Sequence, residues 1–145
     1  MILQGIENQK VELKVVGKQF PNSEKDSPDL NWLNIFLNVQ SKLGNWETID
    51  TSLTTAELRE LINWFRDLSK DKKVEYKDLY FTEPNLEFDL IKEEPNIKHI
   101  KMILSAESKP KSAKDGEEFF MEFRFTNEDL SRIASDLETE LKNIQ

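Results

Sequence analysis

Phe119-Phe120-Met121-Glu122-Phe123-Arg124-Phe125-Thr126-Asn127-Glu128-Asp129-Leu130 changes its hydrophobic period partway along. Up to Phe125 the pattern has period two. Phe119, Met121, Phe123 and Phe125 fall on one side, and Phe120, Glu122 and Arg124 on the other, as in a strand with one covered face. Beyond it Leu130, Ile133, Ala134, Leu137, Leu141 and Ile144 recur at the 3.6-residue spacing of an amphipathic helix. Thr126 with Asp129 stands at the boundary and starts that helix. A strand that runs directly into a capped helix is therefore the unit to look for elsewhere.

The same unit occurs upstream. Residues 46–53 read as a strand, and Thr54 with Glu57 has capping-box spacing, each side chain able to satisfy a free amide at the other's position. Leu58, Leu61, Ile62, Phe65 and Leu68 follow as an apolar stripe, with Trp64 beside it and placed to cover a sheet edge. Lys70, Lys72 and Lys73 come where a helix dipole favours positive charge. Before this unit, Val11, Leu13 and Val15 alternate with Glu12 and Lys14. Residues 17–29 gather Pro, Asn, Ser and Asp into a loop. Leu33, Ile35, Leu37 and Val39 share the next strand's covered face, and Gly44-Asn45 is expected to turn the chain.

Between the two helices, residues 79–81 read as a short strand stopped by Pro84, which cannot donate to a central ladder. Leu86, Phe88 and Leu90 alternate with Glu87 and Asp89. Glu94-Pro95-Asn96 is a turn, 97–106 a long strand-rich run, and 109–116 a Lys-rich loop. Each half is thus strands followed by one capped helix, with no residue-level repeat between halves. The expected fold is α+β: a single domain over residues 1–145, mainly antiparallel β-sheet with two amphipathic helices packed on it. One-sided alternation favours antiparallel pairing, since parallel strands are apolar on both faces.

A chain of 145 residues is one domain by length and buries about two thirds of its unfolded surface without staples. It has no cysteine, which excludes disulfides, thiolate metal sites and a Cys nucleophile. Residues 1–10 lack a signal-peptide pattern, and no apolar run approaches the ~20 residues of a membrane span, so a cytoplasmic location is expected. Against 20 basic side chains stand 28 acidic ones, a formal net charge of −8. Such a chain repels phosphate backbones and attracts basic proteins. Charge is also blocked along it. Glu83, Glu87, Asp89, Glu93 and Glu94 face only Lys92. Asp115, Glu117, Glu118 and Glu122 face no base, and between the two blocks five lysines at 98, 101, 109, 111 and 114 face Glu107.

Catalytic chemistry finds little footing. His99 is the only histidine, without a local carboxylate, and reads as a solvated or edge-strand residue. One His and no Cys cannot supply a zinc site, the acids do not follow a calcium-loop pattern, and the four glycines are too scattered for a phosphate loop. Neither metal nor cofactor is expected. Glu87 and Asp89 share a strand face, roughly 7 Å apart along it, a spacing that glycosidases can use. Phe36 and Phe120 lie opposite their strands' main apolar sets. Either both are covered by another element, or one is an exposed anchor among acids.

Three segments in fixed order carry more information: Val11-Glu12-Leu13-Lys14-Val15-Val16-Gly17-Lys18-Gln19-Phe20-Pro21, Asn31-Trp32-Leu33-Asn34-Ile35, and Phe81-Thr82-Glu83-Pro84-Asn85-Leu86-Glu87-Phe88. With Gly44-Asn45-Trp46 leading to the first helix, and the aromatic strand leading to the last, they resemble the WapI family of bacterial immunity proteins. Lys18 departs from the aromatic that the family places after Gly17. The resemblance implies a non-enzymatic cytoplasmic inhibitor of the C-terminal domain of a polymorphic toxin in contact-dependent growth inhibition. In the founding system that domain cleaves tRNA. The partner would be this basic toxin domain, with no direct nucleic-acid or membrane contact, and the protein itself a monomer or weak homodimer. Strand parity then nominates Glu12, Glu87, Asp89 and Glu122 as one outward face if their strands are neighbours, with Glu93, Glu94, Glu117 and Glu118 at adjoining turns and Phe120 as an apolar anchor. Two other readings stay open: a small carboxylate-dependent hydrolase, and an assembly protein that self-associates through its aromatic strand.

Overall fold

The computed structural model describes residues 1–20, 32–114 and 116–144. Pro21, Asn31, Asp115 and most of the loop expected over 17–29 lie outside the described residues. Among the described residues eight strands and two α-helices follow one another: β1 (Ile2–Gln4), β2 (Lys10–Lys18), β3 (Trp32–Ser41), β4 (Gly44–Thr54), α1 (Thr55–Leu68), β5 (Asp78–Leu79), β6 (Leu86–Glu94), β7 (Ile97–Leu104), β8 (Phe119–Thr126) and α2 (Asn127–Ile144), with one 3-10 turn (Ala106–Ser108) between β7 and β8. The α+β class with two helices is as the periodicities imply. The strands, however, divide between two antiparallel sheets, β1-β2-β3-β4 and β5-β6-β7-β8, each in sequence order and each followed by its helix. Two halves with unrelated sequences thus share one topology.

Both helix starts are fixed by local chemistry. The Thr54 hydroxyl accepts from the Glu57 amide at 3.1 Å, and the Glu57 carboxylate accepts from the Thr54 amide at 2.8 Å. At α2 the Asp129 amide donates to the Thr126 hydroxyl at 3.1 Å and the Thr126 amide to the Asp129 carboxylate at 2.9 Å, so aspartate completes the same reciprocal cap. Both apolar stripes are buried, apart from Ile144 at the end of α2, which is half-buried. Trp64 is buried as well, its indole N–H donating to the Tyr76 carbonyl at 2.9 Å.

The helices pack on each other and reach across the two halves. Helix α2 touches β2 of the first sheet as well as β8. Helix α1 follows β4, yet its Phe65 ring stands edge-on to Phe88 of β6, 5.6 Å between centroids at 81°. Buried residues from both sheets and both helices consequently form a single hydrophobic cluster.

Three local expectations shift. The β3–β4 turn is made by Lys42 and Leu43, with Ser41 paired to Gly44, so Gly44 opens β4 instead of forming the turn. Its φ of +115° suits a residue without a Cβ. Strand β5 stops at Leu79 rather than continuing to Phe81. Gly17 and Lys18 continue β2 past a bulge between Val15 and Gly17 instead of beginning a loop.

Candidate functional site

The outward face of the second sheet is built by strand parity and register. Phe88, Leu90, Ile100, Met102, Met121, Phe123 and Phe125 point into the core, which sends their neighbours outward. Asp78, Asp89, Lys101 and Glu122 form one row across all four strands. The next row holds Glu87, Ile103 and Phe120, with Tyr80 one residue beyond β5 beside Glu87. The aromatic strand therefore turns its main face inward, leaving only Phe120, 55% exposed, for any association. Phe36, on the other sheet, is half-buried under Lys14, whose Nζ stands 5.9 Å from the ring centre. Of this pair of rings, then, Phe36 is partly covered and Phe120 exposed.

Glu87 and Asp89 interact most strongly here. Their carboxyls share one face of β6, close enough for each to shift the other's proton affinity. Burial raises the Glu87 carboxyl first, then the hydrogen bond and charge of Asp89, then Glu118 and Asp78, and together they push it up to about 7. Asp89 is raised as well, by burial and then by the Asp78 and Glu118 charges, against the lowering effects of Glu87 and Lys101. The Tyr80 phenol is held above its ordinary value by the Glu87 and Asp78 charges. Lys101 could neutralise the pair, yet its ammonium stands over the Phe120 ring, 4.8 Å from the centre. Glycosidase carboxyls stand about 5 Å or more apart, with the scissile bond between them. Glu87 and Asp89 instead close on each other.

A raised carboxyl links stability to pH. The folded state holds a proton that the unfolded state releases near 4.5, so this contribution is full below about pH 4.5 and is lost as pH rises through about 7. Glu87→Gln, which keeps a neutral donor beside Asp89, is expected to raise the melting temperature at pH 8 and to change it little at pH 5. Paired thermal melts check this; an equal effect at both pH values would place the carboxyl outside the pair.

The nominated residues do not all meet. Glu87, Asp89, Glu118, Phe120 and Glu122 come together around this patch. Glu12 does not: β2 belongs to the other sheet, where Glu12 pairs with Lys14 at 3.0 Å, so the condition of neighbouring strands fails for it. Glu93 and Glu94 sit at the β6–β7 hairpin, about 20 Å along the strand from Glu87, and Glu94 is paired with Lys92 at 2.9 Å. Glu117 accepts the Lys114 amide at 3.0 Å and closes a turn. Beyond the acidic rows, Lys92, His99 and Arg124 form a basic row, so the face is bipolar and His99 lies on an interior strand. Asp78, Tyr80 and Lys101 were not legible as site residues. β5 is only two residues long, and its pairing with β6 is long-range.

The segments that carry the resemblance do structural work elsewhere. Glu57 uses its second oxygen to accept the Thr82 amide and hydroxyl, both at 2.7 Å. Burial alone would raise this carboxyl, but the Thr54 and Thr82 donors outweigh it and its pKa is lowered. Asn85 is buried and donates to Asp50 at 2.9 Å and Ser52 at 3.3 Å. Trp46 donates to the Ser108 carbonyl at 3.1 Å and stands edge-on to Phe119. Phe-Thr-Glu-Pro-Asn is thus a strap binding the second half to β4 and α1. Gln19, Trp32, Asp50, Glu83, Asn85 and Glu107, drawn from all three segments and their neighbours, wall one cavity of about 480 Å³.

Among the described residues no group of His, Cys, Asp and Glu is arranged to hold a metal ion, and no helix is long and apolar enough to cross a membrane. Compared with curated proteins, the chain has no match. Compared with models of protein families, it matches one over residues 1–145, its whole length. The chain belongs to the immunity protein WapI-like family.

Proposed function

We propose that this protein is a cytoplasmic immunity protein that binds the toxic C-terminal domain of a polymorphic toxin of contact-dependent growth inhibition. The outward face of the second sheet docks on that domain's basic, RNA-binding side and walls off its active site. Membership of an immunity family supports the general role. The observation that carries the choice of surface is Phe120, a large ring left 55% exposed, flanked along the chain by Glu118 and Glu122 on the face that also carries Asp78, Glu87 and Asp89. An exposed aromatic on a face rich in acids suits an anchor-and-rim interface with a partner of opposite charge. The role is binding rather than catalysis, with the toxin domain, a nuclease acting on tRNA, as the partner. The inhibitor itself acts as a monomer or weak homodimer, without touching nucleic acid or membrane.

The test is a salt series of association rates with the purified toxin domain. The double charge reversal Glu87→Lys with Asp89→Lys is expected to slow association roughly tenfold or more at low salt, with a smaller change in dissociation. Screening reaches about 8 Å at physiological ionic strength, so the wild-type rate falls as salt rises and the gap narrows. Folding is left intact, because these side chains alternate with the buried Leu86, Phe88 and Leu90. Rates indifferent to both salt and mutation would remove this surface from the interface.

A further inference from the structure

The second sheet ends in a strand edge that its own chain leaves open. β8 is the last strand in the order β5-β6-β7-β8, and among the described residues no other strand or loop backbone bonds to its outer side. Its eight residues pair with β7 in one unbroken register and include neither proline nor glycine. The other three edges are blunted. β5 has two residues and β1 three, while β4 carries a bulge opposite Leu33 and Asn34 and is braced by Asn85 and by the Ser108 carbonyl. Long regular edges need such devices, because alternate N–H and C=O groups along them are ready to pair with another strand. The face of β8 offers only Phe120 for association, but its edge offers a row of backbone donors and acceptors.

The charges on this strand select the occupant. Glu122 and Arg124 stand two residues apart on the outward face, both exposed, and neither makes an ion pair or side-chain hydrogen bond among the described residues. When β8 is laid antiparallel to a second β8 about Phe123, Glu122 of each copy falls opposite Arg124 of the other, close enough to pair. A slip of one residue would set outward side chains against inward ones. An axis through Glu122 or through Arg124 would set like charges face to face. The neighbouring strands extend the match: the row of Asp78, Asp89, Lys101 and Glu122 runs on into Arg124, His99 and Lys92 of the second copy. The bipolar face is thus complementary to itself when reversed.

We propose that the outer edge of β8 is a homodimer seam, where two copies join antiparallel about Phe123 into one eight-stranded sheet held in register by two Glu122–Arg124 pairs. The inference goes beyond toxin binding and does not depend on which surface meets the toxin. A single strand pair is a small interface, so the dissociation constant lies between about 1 μM and 1 mM.

Sedimentation equilibrium of the full chain across that range reads the dimer, and hydrogen exchange locates it. Amides of β8 are expected to gain protection with concentration while those of β1 and β4 do not, a reading that needs no variant. Glu122→Arg alone and Arg124→Glu alone each set like charges across the seam and are expected to weaken the dimer roughly tenfold or more. Making both changes in one chain is expected to restore it, and mixing the two single variants is expected to give a heterodimer as strong as the wild-type pair. Circular dichroism melts check that each variant is folded. A wild type still monomeric at about 1 mM, a dimer indifferent to the single changes, or a folded double variant that does not recover overturns the seam. Protection of β8 that appears only when another protein is added gives the edge to that protein and overturns the second copy.

Discussion

Lys98→Ala is expected to cost roughly 2–5 kcal/mol of folding stability, as when a long buried side chain is emptied and the hydrogen bonds it makes are lost. Lys98 is 0% exposed, yet it carries an ammonium group. That group is held by the Asp71 carboxylate, by the Glu94 carbonyl at 3.2 Å and by Asn127 Oδ1 at 3.1 Å. Asp71 follows α1 with φ +55°, Glu94 ends β6 and Asn127 begins α2, so one side chain pins three elements from both halves. Asp71 also accepts from the Asn96 amide and the Asn127 side chain, which completes a closed network. Alanine removes the ammonium and also empties the space of a four-carbon stem.

Lys98→Met separates these two losses. It keeps an apolar stem of similar length, and Asp71, whose side chain is 49% exposed, can turn to water. It is expected to recover more than half of the alanine penalty in chemical denaturation. The network also has an acid limit. The Lys98 hydrogen bond, followed by the Asn96 amide, holds the Asp71 carboxyl below its ordinary 3.8. Its contribution is therefore present above that value and is lost as pH falls through the lower folded one. An alanine variant that unfolds at the wild-type denaturant midpoint would show the ammonium to be solvated.

What could be read from the sequence follows the range of the forces involved. Both helices were legible because their stripes and caps act within four residues, as the Thr54–Glu57 and Thr126–Asp129 pairs do. Strand faces were legible by parity, which placed Glu87, Asp89, Phe120 and Glu122 outward. Which strands are neighbours was not, because pairing is set by contacts distant in sequence. The division into two sheets, the loss of Glu12 from the patch and the gain of Asp78 and Lys101 all follow from that. Lys98 was within reach. It alternates with His99 and shares parity with Ile100 and Met102, which marks it as inward, but its place among five lysines suggests a solvated basic patch. Met1 and Leu3 pack into the core from too short a segment to show a period, so β1 left no signal.

Phe65→Ala is expected to lower stability by roughly 3–5 kcal/mol, and the melting temperature by roughly 10–20 °C for a chain of this size. Phe65 is fully buried, with Trp64 at 5.4 Å on its own helix and Phe88 of β6 at 5.6 Å across the boundary between halves. Truncation removes edge-to-face contacts on both sides and leaves a cavity that rigid strands cannot refill. Because the ring joins the helix of one half to the sheet of the other, the loss falls on both halves together. Far-ultraviolet circular dichroism, which follows the strands and helices, and tryptophan fluorescence from Trp32, Trp46 and Trp64 are therefore expected to report one coincident, lowered transition. Two separated transitions would show that each sheet with its own helix unfolds alone, and that the crossing of α1 onto β6 contributes little. A single transition at the wild-type temperature would mean that the surrounding side chains close over the space that Phe65 leaves.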